Sequence, residues 1–322
     1  MIKDLNVGVI GVGNMGKHHA RVYTEIEGVD LVAVVDADKN NGHRIARKFK
    51  CRYYNNISKL LAAENLDAAT IAVPTSMHKD VALACIDHGI PVLIEKPIAE
   101  SVASAQKIIE QSEKTNIAVC VGHIERFNPV VARLKNLVSL KKFGKIIAIN
   151  TKRVGLYPPQ ITDTDVIVDL AVHDIDVCSY ILGKGPQSVY ARAGKALNSK
   201  RFDYADIFLN YNGVDVIIQV NWITPVKVRE LTLTGIKGYA ELNYMNQTLK
   251  IYKRGHGEDV EIVNIEEISL RKEEPLKREI KSFTDYIRGK KAEVVTAREG
   301  LLSLRVALAA IRSHRLQQRV KL

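Results

Sequence analysis

Two rhythms of apolar and polar residues divide the chain. Up to residue 121, short runs rich in Val and Ile alternate with helix-length segments. The runs are NVGVI (6–10), LVAVV (31–35), AATIAV (68–73), PVLIE (91–95) and IAVCV (117–121), and helical patterning occupies 15–27, 40–49, 77–88 and 101–114. This alternation predicts parallel strands joined by crossover helices. Beyond it, strand-like runs follow one another at 145–153, 187–193, 204–211, 214–222, 229–235, 238–244, 248–254 and 259–265. Turn residues separate them: NG at 212, GIKG at 235 and GHGE at 255. That rhythm predicts a large, mostly antiparallel sheet, with helices around 165–182, 276–289 and 297–317. The expectation is two domains, 1–121 and 122–322.

The first strand runs into GVGNMG, residues 11–16. Gly11, Gly13 and Gly16 match G-x-G-x-x-G, with Val12, Asn14 and Met15 between them. The first glycine permits the tight turn, the second admits a pyrophosphate, and the third lets the helix sit close on the strand. The helix N-terminus then offers N–H groups and a positive dipole end to the phosphates. Asp36 ends the second strand, 20 residues after Gly16. There it would accept from the adenosine ribose hydroxyls and repel a 2′-phosphate. The first domain is therefore read as a Rossmann dinucleotide-binding domain, with NAD favoured over NADP; Lys39 and Arg44 are cations that would suit NADP.

Ligands of such sheets bind at the carboxyl ends of the strands. Pro74, Thr75 and His78 follow the third long run as candidate cofactor contacts, with Thr75 or Ser76 as a helix N-cap the alternative. Glu95 and Lys96 follow the fourth. A lysine at the mouth of a cofactor crevice can donate to a substrate hydroxyl and stabilise negative charge as it forms. The Lys96–Pro97 peptide is a candidate for the cis form, which is almost confined to X-Pro bonds.

VIVDLAVHDIDVCSYIL, residues 166–182, is apolar yet carries three aspartates and a histidine. Asp169, His173, Asp176 and Tyr180 fall within roughly 60° of one another on an α-helix, and Asp174 points elsewhere. Such a stripe on a buried helix lines a cavity or pairs with cations. A metal site lacks an evident third ligand, and a structural hydrogen-bonded network stays open. The favoured reading is acid–base chemistry, because hydride loss from an alcohol needs a group to take the hydroxyl proton. A neutral histidine, titrating near ~6.5, suits that task.

Composition narrows the class. Apolar residues make up 46% and charged residues 26%, as in an ordinary globular protein. The opening MIKDLNVGVIGVG leaves no room for a signal peptide, and no apolar stretch reaches the ~18 residues of a membrane span. Cys51, Cys85, Cys120 and Cys178 lie far apart, which argues for a reduced, cytoplasmic setting. Net charge is +11, but the basic clusters are scattered and aromatics reach only 6%, so no nucleic-acid platform is expected. A solvated lysine-rich surface or an acidic small substrate accounts for the surplus.

GVGNMGKHHARVY, AVPTSMHKD, EKP and DLAVHDID, in this order, resemble the glucose–fructose oxidoreductase/inositol dehydrogenase/MocA-type oxidoreductases along the whole chain. The resemblance implies a Rossmann domain followed by an α+β domain with a large open sheet, often the interface of a homo-oligomer, here a dimer or tetramer. It also implies Lys96, Asp169 and His173 as the residues around the reacting hydroxyl, His173 as base. VGHIERFNP, RVGLYPP and NWITPVKVRELTLTG further resemble the UDP-N-acetylglucosamine 3-dehydrogenases, although Gln160 and Asp165 stand where arginine and glycine are expected. That likeness makes Arg126, Arg153 and Tyr157 candidate substrate contacts, and the C3 hydroxyl of a nucleotide sugar the favoured target. A free sugar or inositol, or an NAD-dependent glycosidase reaction, is the alternative within enzymes; a non-catalytic NAD-binding sensor is the alternative outside them.

Overall fold

The computed structural model describes residues 4–157, 164–197, 200–254 and 263–322. The chain forms two compact units, Met1–Ile124 with Leu276–Leu301, and Glu125–Pro275 with Leu302–Leu322.

The first unit is built on a six-stranded sheet. Its strands are β1 (Leu5–Ile10), β2 (Val29–Val35), β3 (Arg52–Tyr54), β4 (Ala68–Ile71), β5 (Val92–Glu95) and β6 (Val119–Gly122). All pairings are parallel, in the order β3-β2-β1-β4-β5-β6. Parallel strands covered on both faces read as continuous apolar runs; Val7, Val9 and Ile10 are all buried. The helices α1 (Gly16–Tyr23), α2 (Lys39–Phe49), α3 (Ile57–Ala63), α4 (His78–Asp87) and α5 (Val102–Thr115) complete the alternation. β3 and α3 go beyond the sequence expectation, because a three-residue strand carries no periodicity to read. The strand order reverses between β1 and β4, and the carboxyl ends there open a crevice.

A single cut after residue 121 does not describe this unit, because the chain returns to it. Helix α8 (Pro275–Ile287) sends Leu276, Ile280 and Phe283 into the same core as Val7, Val22 and Tyr23. Val121 N donates to Val295 O at 2.9 Å, beside a bridge between Cys120 and Thr296. An amphipathic stripe predicts that α8 is covered, but not by which sheet.

The second unit carries a nine-stranded sheet. After α6 (Pro129–Ser139) come β7 (Ile146–Leu156), α7 (Val172–Leu182), β8 (Ser188–Gly194), β9 (Tyr204–Asn210), β10 (Asp215–Asn221), β11 (Ile223–Gly235), β12 (Gly238–Asn243), β13 (Thr248–Arg254), β14 (Val263–Ile268), α9 (Ala297–Leu316) and β15 (Val320–Lys321). The order is β14-β13-β12-β11-β7-β10-β9-β8-β15, antiparallel except for the β7–β10 pair. One face buries Ile149, Ile207, Leu209, Val216, Ile218 and Val220 in a core with Leu134 of α6, Ile175 and Cys178 of α7, and Ala307 and Ala310 of α9. The other face exposes Ile217 and Phe208 beside Asp215 and Gln219. β10 therefore alternates between a buried and an exposed face. The expected turn at 255–258 and Gln160 lie outside the described residues.

Ahead of α7, Ile167–Ala171 form a π-helical turn. Such turns are rare and concentrate at functional sites. This one holds Asp169, four residues before His173.

Candidate active site

In the first unit, each glycine of GVGNMG does a different geometric task. Gly11 has φ +85°, and a Cβ there would lie 2.7 Å from Ala72 O. A Cβ on Gly16 would lie 1.8 Å from Gly11 O, so only hydrogen lets α1 start against the turn. Gly13 has open space where its Cβ would be, which is what a pyrophosphate approaching the backbone requires. Gly13, Asn14 and Met15 are exposed, and no side chain caps α1, leaving its N-terminus to an anion.

Beside the turn lies a cleft of about 610 Å³, lined by Gly11, Gly13, Asp36, Asn55, Pro74, Met77 and Val81 among others. The Asp36 carboxylate accepts from Val12 N at 3.0 Å, Asp38 N at 2.9 Å and Asn41 Nδ2 at 3.0 Å. It is held at the cleft wall, where a ribose diol would meet it. The glycine turn, the uncapped helix and this carboxylate fit a dinucleotide.

The strand-end turns are held differently from the expectation. Burial leaves His78 only 1% exposed, and its ring nitrogens lie 2.9 Å from Pro97 O and Val73 O. A carbonyl only accepts, so a neutral His78 donates to one of the two oxygens and lies against the other, between the end of β4 and the turn after β5. Burial pushes its pKa down, against the pull of the two carbonyls. Thr75 lies in a short 3-10 turn, Thr75–Met77, and no side chain caps α4, so the N-cap alternative is not realised. Glu95 Oε1 accepts from His19 Nε2 at 2.7 Å and its Oε2 from Lys96 N at 3.2 Å. Burial raises the Glu95 carboxyl, but His19, Lys96 and His78 outweigh it and hold it below the usual range. Glu95 thus couples α1 to the lysine turn. The Lys96–Pro97 peptide is cis, as anticipated.

In the second unit, the polar stripe divides. Asp176 receives both Nε and Nη2 of Arg126, at 2.7 and 2.6 Å. Tyr180 lies under two cations, Arg126 at 5.0 Å and Lys135 at 3.6 Å from its ring centroid. Asp174 receives Arg153 Nε at 2.8 Å and Nη2 at 3.2 Å, while Arg153 Nη1 reaches Glu125 at 2.8 Å. Burial pushes the Asp174 carboxyl up and Arg153 pulls it back. Asp174 and Glu125 in turn raise the Arg153 guanidinium against its own burial. Arg126 and Arg153 are thus buried against carboxylates of the helix rather than exposed as surface cations. Asp169, in the π-helical turn, is buried, and His173, four residues on at the start of α7, is half-buried. Tyr157 packs edge-on to Trp222, with centroids 5.2 Å apart. Among the described residues, no group of three His, Cys, Asp or Glu is arranged to hold a metal.

Sequence reasoning passes over His19, Asn41 and Arg229. His19 and Asn41 look like helix-surface residues until the strand ends are brought to them. Arg229 donates to Val154 O and Val228 O, and burial together with Arg153 lowers its pKa to about 10.

Residues 5–123 match the profile "Oxidoreductase family, NAD-binding Rossmann fold", and residues 135–322 match "Oxidoreductase family, C-terminal alpha/beta domain". The chain is 30% identical over 286 residues to a UDP-N-acetylglucosamine 3-dehydrogenase of Acidithiobacillus ferrooxidans, covering 88% of each. A solved structure of the UDP-N-acetylglucosamine 3-dehydrogenase from that organism superposes with a TM-score of 0.87 at 28% identity, over 97% of this chain and 98% of that one. The scyllo-inositol 2-dehydrogenase (NAD(+)) of Bacillus subtilis is 25% identical over 332 residues, covering 98% of this chain and 95% of its own.

Proposed function

From the premise that the chain belongs to the GFO/IDH/MocA oxidoreductase family, we propose that this NAD-dependent sugar oxidoreductase oxidises the C3 hydroxyl of UDP-N-acetylglucosamine. The observation that carries the choice of substrate is the 30% identity to a dehydrogenase of that sugar, sustained over 88% of both chains.

Bound NAD supplies the hydride acceptor. The glycine turn and the α1 N-terminus hold its pyrophosphate, and Asp36 accepts from the adenosine ribose. His173, neutral, takes the proton of the sugar hydroxyl. Lys96 donates to the same oxygen and stabilises the charge that develops there. Asp169 orients the sugar or the imidazole. Glu95, through Lys96 N and His19, fixes the turn from which Lys96 extends. A reduced compartment suits the four free cysteines.

The relative acting on scyllo-inositol supports a second reading, oxidation of a free cyclitol. The test is NADH formation with UDP-N-acetylglucosamine, N-acetylglucosamine, myo-inositol and scyllo-inositol under identical conditions. The proposal expects turnover with the nucleotide sugar at least about tenfold above the others, the scale of one favourable contact of ~1.4 kcal/mol. Turnover confined to the inositols overturns it.

A further inference from the structure

One side-chain amide joins two residues of opposite cofactor preference. Asn41 Nδ2 donates to Asp36 Oδ2 and to Val12 O, both at 3.0 Å. Asn41 Oδ1 accepts from Arg44 Nη2 at 2.6 Å. These three contacts define the amide's orientation, since a flipped amide would set oxygen against a carbonyl and a carboxylate, and NH₂ against a guanidinium.

We propose that Asn41 is a specificity-determining residue: it positions Asp36 for the ribose diol of NAD and withholds Arg44 from the 2′-phosphate of NADP. Helix α2 carries Lys39, Arg44, Arg47 and Lys48, a cationic surface next to a dinucleotide cleft. Such a surface attracts an additional phosphate, and arginine is the usual partner of the 2′-phosphate. The carboxylate at Asp36 opposes that pull, provided it stays aimed and unpaired with the nearby guanidinium. Asn41 meets each condition. Its NH₂ fixes one carboxylate oxygen, and its carbonyl oxygen gives Arg44 a neutral partner in place of Asp36. A carboxylate has about four lone-pair sites, and three are taken by Val12 N, Asp38 N and Asn41 Nδ2. The remaining capacity is what a ribose hydroxyl meets. The start of α2 does not depend on the Asn41 side chain, because Asp38 caps it through the backbone N–H groups of Asn40 and Asn41.

The inference rests on the reading of Asp36 as the ribose acceptor. Dissociation constants for NADH and NADPH, measured by fluorescence titration on the full-length protein, test both. Asn41→Ala should weaken NADH and tighten NADPH, moving their ratio about tenfold, the scale of one hydrogen bond to a charged group. Adding Arg44→Ala to Asn41→Ala should abolish the gain in NADPH affinity. Asn41→Ser, too short to reach either partner, repeats the test if the alanine protein folds poorly. Equal weakening of both dinucleotides in the Asn41 variants overturns the inference, as does an NADPH gain that survives without Arg44. Asp36→Ala separates the two readings. An unchanged NADH preference in that variant overturns the ribose assignment itself. A lost preference there, with an unmoved ratio in Asn41→Ala, overturns the role of Asn41 alone.

Discussion

Arg126 lays Nε and Nη2 on the two oxygens of Asp176, at 2.7 and 2.6 Å, with the two side chains 6% and 1% exposed. A buried charge left without its partner typically costs ~3–5 kcal/mol. Arg126→Ala should therefore lower the free energy of unfolding by about that much, read from urea denaturation. The KM for the sugar, measured on the folded fraction, should stay at the wild-type value. An unchanged denaturation midpoint with a raised KM would return Arg126 to the substrate.

His173→Ala should keep its affinity for NADH and lose about 10² to 10⁴ in turnover, the usual loss on removing a general base. Lys96→Ala should lower turnover as well. If both groups act on one hydroxyl oxygen, the double variant costs less than the sum of the singles. Turnover and melting temperature measured on one preparation decide the matter. Near wild-type turnover with reduced stability in His173→Ala would remove it from the chemistry.

The Glu95–His19 pair has a defined pH signature. Glu95 is held below its ordinary value, burial notwithstanding. A carboxylate more acidic folded than unfolded contributes stability above its unfolded pKa, ~4.3, and that stability is lost as pH falls through the folded value. The destabilisation caused by Glu95→Gln should accordingly shrink as pH falls below about 4.3. Denaturation midpoints of both proteins above and below that pH provide the measurement. A difference that grows on acidification would contradict the assignment.

The outer face of the large sheet carries Phe208 at 45% and Ile217 at 37% exposure, paired across β9 and β10, with Tyr190 beside Phe208. We propose that these exposed apolar side chains meet a second copy of the chain. Light scattering should give a dimer or tetramer at micromolar concentration, and Phe208→Glu should shift it towards monomer. A wild-type monomer at that concentration would refute the expectation.

Much of the fold was legible because its signals are local. Parallel strands buried on both faces must be apolar throughout, so β1, β2, β4, β5 and β6 announce themselves. The glycines are dictated by backbone clearance: a Cβ at Gly16 would lie 1.8 Å from Gly11 O whatever the rest of the chain does. Residue types on one helix face follow from the 3.6-residue period, which is why the stripe from Asp169 to Tyr180 could be drawn beforehand.

What periodicity does not encode is the partner. A helix pattern says that α8 buries one side, yet only packing puts Phe283 among the residues of the first sheet. Asp176, on the polar stripe, and Asp174, off it, have no evident partners until folding delivers Arg126 and Arg153 from 50 and 21 residues away. His19 acquires meaning only when β5 sets Glu95 beside it, 76 residues on in sequence. The sequence by itself determined the longer elements, the glycine turn and the charged groups, since each follows from covalent geometry and short-range pattern. Tertiary structure alone decided which charges are spent on one another, because pairing a buried charge depends on contacts between residues far apart in the chain.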